Sequence, residues 1–117
     1  MTHSEWASRI WPVLLLAARN RQVLTYEILS RLVGKPRHTL GASLEPIQSY
    51  CLLRRLPPLT GIVVSERTGL PGKGFIAAAD LPKEQMMVFT HPWDKEHVPT
   101  AMELAATLKK RPSNGVK

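Results

Sequence analysis

Apolar side chains recur at three- and four-residue spacing near the start of the chain. Trp6, Ile10, Val13, Leu14 and Ala17 make one face of a helix predicted over residues 4–21. Ser4 suits its N-cap and Glu5 its first turn, where a negative charge meets the positive end of the helix dipole. Pro12 falls inside the pattern. It either kinks the helix or marks the first turn of one that begins near Trp11. The apolar run Trp11 to Ala18 ends at Arg19 and Arg21, so it reads as a core helix rather than a bilayer span or a signal peptide.

A second helix is predicted from Tyr26 to Val33, capped by Thr25, with Ile28, Leu29 and Leu32 turned inward. Gly34 and Pro36 stop it. After the basic turn Lys35 to Thr39, a third helix starts at Leu40, with Thr39 as its cap. Leu40, Leu44, Ile47 and Cys51 form its apolar stripe, and Pro46 predicts a bend or a break within it.

Past Pro57 and Pro58 the period changes. Leu59 to Ser65 is rich in β-branched residues and predicts a strand. Arg67 to Gly72 has turn chemistry, and Lys73 to Ala79 is expected to return as a second strand, closing a β-hairpin. Beyond Asp80 the pattern weakens. Leu81 to Glu84 opens a short helical or irregular segment, His91 to Asp94 reads as a turn anchored by Trp93, and Pro99 to Lys110 as a last helix with Met102, Ala105 and Leu108 on its apolar side. Residues 111–117 are polar and expected to be frayed.

Three helices followed by a hairpin is the order of a winged helix-turn-helix, an α+β fold. The expected layout is such a domain over residues 1–79, with residues 80–117 as a C-terminal extension packed on it. At 117 residues the chain has room for one core of this kind.

Charge adds a partner to this picture. Sixteen lysines and arginines oppose nine acidic residues, a net charge of +7. Residues 1–60 hold eight basic residues against three acidic ones, and residues 61–117 hold eight against six, so the first half carries most of the excess. Such a balance favours a polyanion, bound through phosphate contacts and counterion release. In a winged helix-turn-helix the third helix enters the major groove of duplex DNA and the wing touches a neighbouring phosphate. The expected recognition helix covers about residues 39–55 and the basic wing about 66–74. The candidate DNA contacts are Lys35, Arg37, His38 and Thr39 before and at the helix start, Ser43 and Gln48 on its polar side, and Arg67 and Lys73 bracketing the wing loop.

The segments Thr25-Tyr-Glu-Ile-Leu-Ser-Arg-Leu-Val-Gly34, Leu40-Gly-Ala-Ser-Leu44, Ile62-Val-Val-Ser65 and Gly69-Leu-Pro-Gly-Lys-Gly74 resemble the DNA-binding domain of the O6-alkylguanine-DNA alkyltransferases and their alkyltransferase-like relatives. The likeness covers roughly residues 24–75. It implies a winged-helix reader of DNA. The family's alkyl-accepting cysteine would fall between Thr60 and Val64, where this chain has none. Its intercalating arginine would fall near Thr39, where the nearest basic residues are Arg37 and His38. The linker before the strand is also longer. Alkyl transfer is therefore not expected.

Other chemistry is sparse. Cys51 is the single cysteine, so no internal disulfide forms and a reducing cytoplasm is the expected compartment, with nucleoid association in a bacterial setting. Its place on an apolar stripe makes it a buried thiol rather than a nucleophile. His91, His97, Asp94 and Glu96 follow no metal-ligand spacing, and Gly69 to Gly74 lacks the ending of a phosphate-binding P-loop. The expectation is a non-enzymatic binder of double-stranded DNA, a regulator or an accessory of DNA processing or defence, without cofactor, metal or membrane. The alternative is a protein–protein module that docks a partner through Met86, Met87, Phe89 and Trp93 of the extension.

Overall fold

In the computed structural model, residues 1–72 and 80–110 are described. Lys73, the returning strand expected over 73–79 and the frayed tail expected over 111–117 lie outside the described residues. Helix α1 spans His3–Arg19 without a break. Pro12 sits on its exposed side, on the same face as Ser8, whose carbonyl it leaves without an amide partner. That is the side where water can replace the missing bond. The cap lies two residues earlier than Ser4. Thr2 Oγ1 accepts the Glu5 amide at 3.1 Å, and the Thr2 amide donates to Glu5 Oε1 at 2.7 Å, a reciprocal capping box. Ser4 is buried instead.

Strand β1 (Leu24–Thr25) leads directly into helix α2 (Tyr26–Val33). Thr25 Oγ1 caps α2 by accepting the Ile28 amide at 3.1 Å, and Gly34 ends it in the left-handed region at φ 74°, as the sequence predicts. The inward face is narrower than expected. Leu29 is fully buried, whereas Ile28 and Leu32 are exposed. A 3-10 turn, Arg37–Thr39, runs into helix α3 (Leu40–Leu53). Pro46 is buried within α3 and does not interrupt it. The stripe Leu40, Leu44, Ile47 and Cys51 is buried throughout.

The winged helix-turn-helix expectation does not hold. Leu59–Ile62, expected as strand, is a 3-10 turn, and only Val63–Val64 is extended, as β2. Its partner among the described residues is β1, upstream of α2. Leu24 pairs with Val63 and Thr25 with Val64, in parallel. A parallel pair needs a long crossover, and here α2 and α3 supply it. The β-branched run and the glycines after it carry the local signals of a hairpin. The pairing is decided instead by the burial of Val63 and Val64 in the core. After Val64 the chain turns tightly, with the Ser65 amide donating to Leu70 O and the Gly69 amide to Ser65 O, both at 2.8 Å. Gly69 takes φ 70° there, which favours glycine.

The rest is helical: α4 (Leu81–Thr90), a 3-10 turn at Trp93–Lys95, and α5 (Ala101–Lys110). The described chain is thus five α-helices around one core, with a single two-stranded parallel pair at its side. Trp11 occupies the centre. It meets Tyr50 edge-on at 5.6 Å and Trp93 at 6.0 Å, the geometry aromatic quadrupoles favour. Trp93 Nε1 donates to Val88 O at 2.8 Å. Val88, Trp93 and Leu104 belong to the same cluster as Ile10, Leu14 and Ile47. On α5 the inward residues are Leu104 and Thr107, whereas Met102, expected inside, is 81% exposed.

Candidate nucleic-acid interface

The start of α3 presents two small residues, Gly41 and Ala42, to solvent. A Cβ on Gly41 would meet nothing within 4 Å, so nothing in the fold requires glycine there. Glycine in a helix costs roughly 0.5–1 kcal/mol relative to alanine. The uncovered backbone permits close approach from outside. No side chain caps α3, because the hydroxyl of Thr39 is engaged elsewhere. The positive end of the helix dipole lies at this edge.

Two cationic flanks adjoin it. The 3-10 turn supplies Arg37 and His38, both exposed. The turn after β2 supplies Arg67, exposed and in no ion pair among the described residues. Arg37 Nη1 donates to Glu66 Oε2 at 3.1 Å, so the two flanks are tied together and Arg67 follows the tie by one residue. Between Leu40 and Leu53, α3 contains no lysine or arginine. Its exposed residues are Gly41, Ala42, Glu45, Leu52 and Leu53, with Gln48 half-buried. Cationic contact therefore comes from beside the helix, not from its outward face.

Three of the candidates serve the fold. Lys35 is only 8% exposed. Its ammonium lies 5.4 Å from the centre of the Trp6 ring and donates to Thr39 Oγ1 at 2.6 Å and Thr39 O at 3.2 Å. Thr39 Oγ1 in turn donates to Pro36 O at 2.7 Å. Lys35 and Thr39 thus lock the turn onto α1, and the ammonium is withheld from a surface ligand. Ser43 is not on a polar side. It is fully buried, and its Oγ has no hydrogen-bond partner among the described residues. It stands three residues after Leu40 and four before Ile47, on the buried stripe itself. Arg37, His38 and Arg67 remain together at the surface.

Glu66 was not singled out by the sequence. Its own amide bonds its carboxylate and the Arg37 guanidinium adjoins it, and together they hold its pKa below the usual carboxylate value. A spacing rule within one helix finds Glu27 and Arg31, paired at 2.6 Å, but not a pair that spans α3. Tyr26 was also missed. Its hydroxyl accepts the Gly72 amide at 3.0 Å, and a Cβ on Gly72 would run into that oxygen, so the segment after the turn is held against α2.

The histidines of the extension do not converge. His91 Nε2 meets Glu96 Oε2 at 2.6 Å and His97 Nε2 meets Glu103 Oε1 at 2.8 Å. Among the described residues no three His, Cys, Asp or Glu side chains are placed to hold a metal ion. Cys51 is buried, and burial pushes its thiol up to about 12. Also among the described residues, no helix is long and apolar enough to cross a membrane. Comparison with protein families, with curated proteins and with solved structures returns no match.

Proposed function

We propose that this chain binds double-stranded DNA without chemistry of its own, seating the phosphate backbone at the N-terminal end of α3. The observation that carries this reading is Gly41, a solvent-facing helical glycine that the fold does not require, framed by Arg37 and His38 on one side and Arg67 on the other. Close backbone approach and flanking cations are what a phosphate strand needs. The net charge of +7 supports the same reading. The only thiol is buried and strongly protonated, which argues against a nucleophilic role. A single buried cysteine also suits a reducing compartment, the cytoplasm.

Titration of a fluorescent 20-base-pair duplex tests the proposal. Affinity is expected to fall linearly on a log–log plot against salt, and Arg37→Gln with Arg67→Gln is expected to reduce that slope by about 2. Absence of binding at low salt, or binding indifferent to salt, contradicts it. The alternative, a protein partner seated on α4 and α5, draws on exposed Met86, Met87 and Met102.

A further inference from the structure

The tie between the two flanks also opposes the function proposed for them. Glu66 receives Arg37 at 3.1 Å, with the arginine side chain 60% exposed and the glutamate 33%. Nearby on α2, Glu27 Oε2 holds Arg31 Nη2 at 2.6 Å. Arg31–Glu27 and Arg37–Glu66 are thus two separate ion pairs. The second pair offsets the guanidinium charge of Arg37 beside the start of α3.

We propose that Glu66 is a built-in competitor for phosphate, occupying Arg37 in the free protein and giving it up when duplex DNA binds. The inference rests on the reading of the site given above. A carboxylate and a phosphate oxygen ask the same of a guanidinium, two parallel N–H donors. An exposed ion pair is weak enough to be exchanged at little cost. Until it is exchanged, Glu66 fills the place of the ligand at Arg37, and the cost of displacing it sets a ceiling on affinity. Arg67, which makes no such pair among the described residues, is the cation available at first encounter, and Arg37 engages afterwards.

Glu66→Gln removes the competitor without removing bulk. Against the same 20-base-pair duplex, it is expected to bind about two- to fivefold more tightly than the unaltered chain. The gain is expected to vanish when Arg37→Gln is already present, because the competition is for that guanidinium alone. A duplex-binding chain whose affinity is unchanged by Glu66→Gln overturns the inference and leaves the DNA reading standing. So does an equal gain in the Arg37→Gln background, which would make Glu66 a general repulsive charge. If neither the unaltered chain nor Glu66→Gln binds duplex, both readings fall. Thermal unfolding of each variant establishes that it is folded before binding is compared.

Discussion

Lys35 Nζ and Thr39 Oγ1 stand 2.6 Å apart, and this bond turns a lysine of apparent binding value into a structural one. Its ammonium gives up water for two oxygens of Thr39 and the face of Trp6. Lys35→Met keeps the aliphatic stem and deletes the donors. It is expected to destabilise the chain by about 1–3 kcal/mol, the cost of a buried charged hydrogen bond with its acceptors left unmet. Chemical denaturation measures this. Duplex affinity of the folded fraction should hardly change. A large loss of affinity with unchanged stability would restore Lys35 to the interface.

Gly41→Ala separates stability from binding. The added methyl meets no atom of the protein, so helix stability should rise by roughly 0.5–1 kcal/mol. If the bare backbone is a seat for phosphate, the same variant binds duplex more weakly and Gly41→Leu more weakly still. A stabilised Gly41→Ala with undiminished affinity would remove α3 from the site.

Three carboxylates make stability depend on acid. Glu5, Glu66 and Glu103 all titrate below the ordinary 4.5. For Glu103 the largest cause is the Thr100 amide bond, followed by His97. A carboxyl whose folded pKa lies below its unfolded value contributes stability that is complete above the unfolded value. That stability is lost as pH falls through the folded one. The unfolding midpoint should therefore decline on acidification below about pH 4.5. Glu103→Gln preserves the cap, since a glutamine oxygen can still accept the Thr100 amide, but cannot titrate. It should flatten part of the acid decline. An unchanged acid limb in this variant would count against the assignment.

Cys51 should resist modification. With its thiol at about 12 and its side chain sealed in the core, alkylation by iodoacetamide at pH 8 should proceed only through unfolding, at a rate that follows denaturant. Prompt, complete labelling of native protein would show a reachable thiol.

Some local signals in this sequence were reliable, while the β-branched run Leu59–Ile62, which forms a 3-10 turn, and the long-range pairings were not legible. Thr25 and Gly34 mark the ends of α2 because capping and left-handed backbone are decided within a few residues. The buried stripe of α3 is legible from spacing, and so is Ser43 once its distance from Leu40 and Ile47 is counted. The pattern Thr-x-x-Glu occurs at Thr2 and again at Thr100, and both form reciprocal caps. The strand pairing was illegible. Two-residue strands carry no period, and the choice of Leu24 over a neighbouring strand depends on tertiary burial. The same holds for Lys35 beneath Trp6 and for Glu66 against Arg37. In the site, Arg37, His38 and Arg67 were readable as exposed basic residues, whereas Glu66, the carboxylate that holds Arg37, was not.

Amide chemical-shift mapping with a 20-base-pair duplex tests the central claim most directly. The account predicts that titration moves the signals of Arg37 to Ala42 and of Ser65 to Leu70, while α4 and α5 stay still. Movement confined to Met86, Met87 and Met102, or no movement at low salt, would contradict it.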